Sequence, residues 1–175
     1  MLSHPKACVF VIAAEPSGDL LGHHIIRGLS KRFPTLSYRG VGGALMESAG
    51  HFSSIIPLSQ LSCMGLVSIV KKLPFLVQCL SKVRRCIQQV RPMALVTIDA
   101  PDFSLRISQN MRDIPRIHCV APSVWAWRPG RAKALAQKTD HLLTLFPFEA
   151  KYFRHMETTY VGHPSAETPL GCADR

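Results

Sequence analysis

Short apolar runs alternate with helix-length segments along nearly the whole of this 175-residue chain. The apolar runs are rich in valine, isoleucine and phenylalanine, and they are continuous, so no polar face alternates with them. Continuous apolar strands separated by helices are typical of a parallel sheet that helices cover on both faces. The pattern therefore predicts an α/β fold, a doubly wound parallel Rossmann-like sheet.

The apolar runs and the local start and stop signals place the individual elements. The predicted strands are residues 7–14, 37–41, 53–57, 94–98, 117–121 and 141–146, with a last stub at 160–161. The predicted helices are residues 17–32, a short helix ending near 50, 63–90, 103–112, 128–138 and 147–153. We expect Ser17 and Asp102 to cap the helices that follow them, and Pro74 to kink the longest helix. A short signal peptide is the alternative for residues 7–14, but the turn and helix that follow favour a buried strand.

The chain is strongly basic. It carries 21 Lys and Arg residues against 11 Asp and Glu residues, a formal net charge of +10. Such an excess favours an anionic partner, which is a nucleic acid, an acidic membrane surface or a phosphorylated substrate. The cations form no dense run, and no zinc-finger spacing or ribonucleoprotein motif accompanies them, so no nucleic-acid partner is predicted.

The cysteines and histidines are not spaced as they are in metal-binding or redox motifs. Six cysteines and eight histidines show no CxxC or HExxH spacing. Scattered cysteines among apolar neighbours are typical of reduced cytosolic proteins. The sequence therefore predicts no disulfide framework, no metal and no cofactor.

Polar or glycine-containing loops follow four of the predicted strands. They contain Glu15, Ser17, Gly18 and Asp19 after the first strand, Gly42 and Gly43 after the second, Asp99 after the fourth, and two tryptophans after the fifth. Ligands of doubly wound sheets bind beyond the carboxyl ends of the strands. We therefore expect a binding site along this edge.

Two of these loops can each be interpreted in two ways. Residues 15–19 offer backbone N–H groups at a helix N-terminus, which suits an anion or a sugar hydroxyl, but Ser17 and Asp19 also suit simple helix capping. Asp99 ends an otherwise apolar strand, where an uncompensated carboxylate is costly. It is either a general base for a substrate hydroxyl or a structural carboxylate bonded to the next loop.

Trp125 and Trp127 lie two residues apart beside Arg128. In an extended segment, residues i and i+2 point the same way, so the two indoles form an aromatic shelf next to a cation. Such a shelf suits a sugar phosphate. The alternative is that both rings fill a gap beneath a loop.

Residues 63–85 combine many apolar side chains with flanking cations. A crossover helix packed on the sheet and a contact with acyl chains or an anionic membrane surface are compatible interpretations. The apolar stretch is interrupted by Lys71, Lys72 and Pro74, so it does not predict a transmembrane helix.

Seven segments in register resemble lipid-A-disaccharide synthases, bacterial glycosyltransferases of the two-domain GT-B type. The matching segments are residues 14–22 (AEPSGDLLG), 40–43 (GVGG), 64–67 (MGLV), 98–103 (IDAPDF), 122–128 (PSVWAWR), 145–149 (LFPFE) and 161–164 (VGHP). The resemblance implies transfer of diacylglucosamine from its UDP donor to the 6-hydroxyl of diacylglucosamine 1-phosphate. The products are the β-1,6-linked lipid A disaccharide phosphate and UDP, formed by an inverting, metal-independent displacement.

The resemblance also implies the residues and the location of this reaction. Asp99 matches the aspartate that deprotonates the acceptor hydroxyl. The implied substrate-binding residues are Glu15, Ser17, Gly18, Asp19, Gly42, Gly43, Met64, Ser123, Trp125, Trp127, Arg128 and His163. The enzyme is expected in the cytoplasm, peripheral to the anionic surface of the inner membrane.

Two features depart from the family. Ser68 stands where the family usually has a glutamate. The family is also much longer, and its second domain, which carries most of the UDP site, is expected to begin after residue 164. We therefore expect an N-terminal, acceptor-side domain over residues 1–164, an irregular tail over 165–175 in place of the UDP-binding domain, and no activity of the chain alone. The alternatives are a non-catalytic lipid- or phosphosugar-binding half-domain and a decayed remnant.

Overall fold

The computed structural model describes residues 7–62, 69–124 and 130–164. Its elements are β1 (Cys8–Ala13), α1 (Pro16–Arg32), β2 (Ser37–Gly42), α2 (Ala44–Ser48), β3 (Phe52–Pro57), α3 (Leu58–Ser62), α4 (Ile69–Val90), β4 (Ala94–Ile98), α5 (Pro101–Ser108), β5 (Arg116–Cys119), α6 (Gly130–Ala136), β6 (His141–Thr144), a 3-10 turn (Ala150–Tyr152) and β7 (Glu157–Tyr160). In the described part of the chain, the strands form one parallel sheet in the order β3-β2-β1-β4-β5-β6-β7. The predicted α/β class is confirmed.

The strand order reverses between β1 and β4. The chain builds outward from β1 to β3, crosses back through α4, and adds β4 on the other side of β1, with Ala13 opposite Ile98. Helix α1 packs on one face of the sheet, and α4 and α5 pack on the other. This arrangement is the doubly wound topology that the alternating pattern predicted.

The position of strand β1 between two layers of helices explains why its sequence is continuously apolar. Val9, Val11 and Ala13 face the core beneath α1, whereas Phe10 and Ile12 face the core beneath α4 and α5. All five side chains are buried, as expected for a strand that is covered on both faces. The prediction that residues 7–14 contain a buried strand is confirmed.

Two predicted caps are wrong, for the same reason. Helix α1 begins at Pro16 with Glu15 in the cap position, so Ser17 lies inside the helix. Helix α5 begins at Pro101 after Ala100, so Asp102 is also inside, and the helix ends at Ser108 instead of residue 112. Proline is favoured at the first helical position because its φ is already helical. An N–H group at that position would have no partner within the helix, so proline loses no hydrogen bond there.

The other differences concern short elements. Helix α3 was not predicted, residues 63–68 of the predicted long helix lie outside the described residues, and Pro74 lies inside α4. The predicted strand 141–146 is shorter because the Glu149 carboxylate accepts hydrogen bonds from the backbone N–H groups of Leu145 and Phe146, at 3.0 and 2.9 Å. Those two N–H groups are diverted from the sheet, and the strand ends at Thr144.

Strand β5 contains a fully buried histidine. The Nδ1 atom of His118 lies 2.8 Å from the Thr97 hydroxyl, while its Nε2 atom has no partner in the described structure. Burial lowers the pKa of His118 from 6.5 to about 4. The imidazole is therefore neutral in the folded protein at neutral pH.

This histidine makes the fold sensitive to acid. Between pH 6.5 and 4 the unfolded chain binds a proton that the folded protein excludes, so stability is complete above pH 6.5 and falls as the pH is lowered. We expect the free energy of unfolding, measured with urea, to lose about 3 kcal/mol from this group between pH 7.5 and 4. His118→Asn, which keeps a partner for Thr97, removes that component; equal pH dependence in both proteins contradicts the prediction.

Candidate active site

The crevice between the carboxyl ends of β1 and β4 is the candidate active site. Ligands of open α/β sheets bind where the strand order reverses, and that point lies here. The loop after β1 leads into α1 through Glu15, and the loop after β4 consists of Asp99 and Ala100. Two of the four loops singled out from the sequence thus meet at one crevice.

Asp99 is held in an unusual backbone conformation. Asp99 and Ala100 both have positive φ angles, 49° and 42°, a region that non-glycine residues rarely occupy and that is enriched at functional sites. The Asp99 N–H donates to the Cys119 carbonyl at 3.0 Å, and the Asp99 carbonyl accepts from the Ser104 hydroxyl at 2.8 Å. Its backbone is therefore fixed by β5 and by α5.

The Asp99 carboxylate is available to a ligand. The residue is half-buried, and its carboxylate accepts no hydrogen bond from any residue in the described ranges. The structural alternative, in which this carboxylate bonds to backbone N–H groups of the next loop, is not observed there. A carboxylate with a fixed backbone and no hydrogen-bond donor among the described residues is suited to accept a proton from a bound hydroxyl.

Asp19 organises the neighbouring loops. It is 5% exposed, and its carboxylate accepts hydrogen bonds from the backbone N–H groups of Gly43 (2.7 Å), Leu45 (3.2 Å) and Met46 (3.2 Å). These groups belong to the first turn of α2, so Asp19 caps the next helix along the chain. It ties the loop after β1 to the loop after β2.

Glycines allow these elements to approach closely. A Cβ atom on Gly18 would lie 3.2 Å from the Ala13 Cβ atom, and one on Gly43 would lie 2.5 Å from an Asp19 carboxylate oxygen. Gly18 thus lets α1 pack against the ends of β1 and β4. A cavity of about 590 Å³ between the first three βα loops is lined in part by Asp19, Gly42 and Gly43.

The remaining predicted site residues are dispersed. Glu15 and Ser17 are exposed at the start of α1, and Ser123 is exposed after β5. His163 lines a separate cavity of about 330 Å³ between α1 and the ends of β5 to β7. Met64, Trp125, Trp127 and Arg128 lie outside the described residues.

An aromatic stack near His163 was not predicted. The Phe146 ring stacks on Phe148 at 5.7 Å and on His163 at 6.0 Å, and both phenylalanines are more than 40% exposed. The buried Glu149 fixes the turn that carries them. The sequence predicts a strand up to Phe146 and a helix from residue 147 to 153, and neither element predicts that these two rings stack at the surface.

Cys119 is a buried thiol at the end of β5. Burial raises the pKa of its thiol to about 12, and the carboxylates of Asp99 and Glu149 contribute in the same direction. A thiol needs a depressed pKa to attack as the thiolate. At neutral pH Cys119 is therefore a protonated thiol, and it packs in the core beneath α1.

Across residues 7–62, 69–124 and 130–164, no three His, Cys, Asp or Glu residues come together as a metal site. Within these ranges, no helix combines the length and apolar character needed to cross a membrane.

The family profile and the similar curated proteins point to the same family. A family profile described as lipid-A-disaccharide synthetase matches residues 9–170. The lipid-A-disaccharide synthase of Ruegeria pomeroyi is 45% identical over 166 residues, covering 92% of this chain and 41% of that protein. Those of Rhodospirillum centenum (41% identity, 95% and 43% coverage) and Pseudomonas aeruginosa (40%, 95% and 45%) are similar. The chain thus spans less than half the length of these relatives.

Structural comparison supports the same fold. The crystal structure of Acinetobacter baumannii MurG superimposes with a TM-score of 0.55 at 13% identity, covering 97% of this chain and 47% of that one. At this identity the likeness concerns the fold alone. Because the family profile matches residues 9–170 and the relatives are 40% to 45% identical over nearly the whole sequence, this chain belongs to the lipid-A-disaccharide synthase family.

Proposed function

We propose that this chain is the acceptor-side half of a hexosyltransferase that makes the lipid A disaccharide. The reaction joins diacylglucosamine from its UDP donor to the 6-hydroxyl of diacylglucosamine 1-phosphate, and UDP is released. The observation that carries the proposal is Asp99, a half-buried carboxylate with a fixed backbone and no partner in the described structure, at the crevice of a sheet of this family.

Asp99 acts as the general base in this proposal. Its carboxylate takes the proton of the acceptor 6-hydroxyl while the hydroxyl oxygen attacks the anomeric carbon of the donor. The new carbon–oxygen bond forms as the bond to UDP breaks, so the configuration is inverted and the negative charge leaves with UDP. The proton remains on Asp99 until solvent removes it.

The loops around the crevice bind the sugars. Glu15 and Ser17 are exposed beside Gly18 at the N-terminus of α1, and Gly42 and Gly43 line the adjoining cavity. Ser123 and His163 are proposed at the outer edge. Met64, Trp125, Trp127 and Arg128 stay predictions of the family resemblance.

We propose that helix α4 contacts the acyl chains and the cytoplasmic surface of the inner membrane. Phe75 and Val77 are 36% and 53% exposed, while Val83 and Ile87 of the same helix are buried against the sheet. Exposed apolar side chains followed by the cations of residues 82–85 suit a surface that carries both acyl chains and anionic headgroups.

The donor half is proposed to lie in a second domain. The described sheet contains the crevice that we propose for the acceptor, and the curated relatives are more than twice as long as the matched region. Without a domain that holds UDP-diacylglucosamine beside Asp99, the effective concentration of the donor is lost. We therefore expect residues 1–164 to act only with such a partner domain.

A chimera tests this function. Residues 1–164 replace the matching part of the Ruegeria pomeroyi relative, and UDP release is measured with UDP-diacylglucosamine. We expect release that requires diacylglucosamine 1-phosphate in the chimera and in the parent relative, and none from the 175-residue chain alone. A folded chimera that binds the acceptor but releases no UDP contradicts the enzyme and favours the binding half-domain.

A further inference from the structure

A basic cleft lies between α5 and α6. Its volume is about 250 Å³, and its walls include three cations, Arg106, Arg131 and Lys138, with one carboxylate, Asp102. We propose that this cleft is a phosphate site, and that it takes the monoester phosphate of a sugar 1-phosphate.

The charges of the cleft point to an anion. Neither Arg106 nor Lys138 forms a salt bridge with any residue in the described ranges. Like charges that converge on one cavity repel each other, and a bound anion relieves that repulsion. Among the described lining residues, three cations and one carboxylate give a formal charge of +2, which matches a phosphate monoester dianion and exceeds the single charge of a phosphodiester.

The position of the cleft connects it to the candidate base. One wall begins at Pro101, two residues after Asp99, and another includes Pro122, which follows β5. Both lie at the carboxyl edge of the sheet. A sugar whose phosphate occupies the cleft therefore has its ring near the crevice that holds Asp99. The identity of that sugar as the acceptor rests on the proposed function, whereas phosphate binding itself does not.

Asp102 gives the proposal an unusual test, because removing its charge and removing a cation have opposite expected effects. Glucosamine 1-phosphate is titrated into the 175-residue chain by calorimetry. We expect Arg106→Gln and Lys138→Gln each to weaken binding about threefold to tenfold, and Asp102→Asn to tighten it about threefold. The control is Lys133→Gln, because Lys133 is an exposed cation of α6 that does not line the cleft, and it leaves binding unchanged.

Several outcomes overturn the proposal. Absence of binding does so, and so does an equal effect of Lys133→Gln and Lys138→Gln, because net charge alone would then explain it. Phosphatidylglycerol vesicles distinguish the source of the phosphate. If they bind in a manner that requires Arg106 and Lys138 while glucosamine 1-phosphate does not bind, the cleft recognises a lipid headgroup and the sugar-phosphate assignment is wrong.

The chimera separates this proposal from the proposed function. Glucosamine 1-phosphate binding by the chain, with no transfer by the chimera, contradicts the enzyme and leaves the phosphate site standing. If the chain binds glucosamine 1-phosphate but transfer by the chimera is unchanged by Arg106→Gln and Lys138→Gln, the cleft does not hold the acceptor phosphate, and both the enzyme and phosphate binding remain.

Discussion

Asp99→Asn in the chimera is expected to lower the rate of sugar transfer by about a hundredfold to ten-thousandfold, the usual contribution of a general base. The amide cannot accept the proton of the 6-hydroxyl. Asparagine is also the substitution that best preserves the site, since it tolerates the left-handed conformation that Asp99 adopts at φ 49°. The initial rate of UDP release at saturating acceptor measures the effect.

The matched control is Asp113→Asn. Asp113 is an exposed aspartate in the loop between α5 and β5, at the opposite end of the strands from the crevice, and its substitution should leave the rate unchanged. Urea denaturation should give similar stability for both variants, because the Asp99 carboxylate has no partner in the described structure. Near-normal transfer by a stably folded Asp99→Asn chimera would show that another group, or water, removes the proton.

The sequence predicted the sheet because a strand that is buried on both faces needs a continuous run of apolar residues, and such runs are visible in the sequence. Strand β4 was predicted with its observed bounds, residues 94–98, because its five residues are bordered by charged and turn-forming residues. Helix starts were less predictable. Ser17 and Asp102 are good capping residues by type, but a proline stands immediately before each and takes the first helical position.

The site was only partly predictable because its contacts join distant residues. Asp19 finds its donors 24 to 27 residues away, after a second strand has formed. Arg106, Arg131 and Lys138 converge on one cleft although no motif contains all three. The family resemblance singled out Asp99 but could not show that its backbone is left-handed or that its carboxylate lacks a partner in the described ranges.

Asp19→Ala is expected to lower the free energy of unfolding by about 3 to 5 kcal/mol, because it leaves three N–H groups at the start of α2 without their charged acceptor. Asp19→Asn is expected to cost less. Its amide oxygen can still accept from Gly43 and Met46, the two groups that share one Asp19 oxygen, and only the bond from Leu45 is lost.

Urea denaturation of the 175-residue chain measures both losses, with Asp113→Ala as an exposed control that should change stability little. If Asp19→Ala costs no more than this control, the carboxylate does not hold the loops after β1 and β2 together. Asp19 would then be free to bind substrate directly, as the family resemblance implied. A large loss in Asp19→Ala with partial rescue by Asp19→Asn instead assigns Asp19 to the architecture of the crevice, and Asp99 remains the proposed general base.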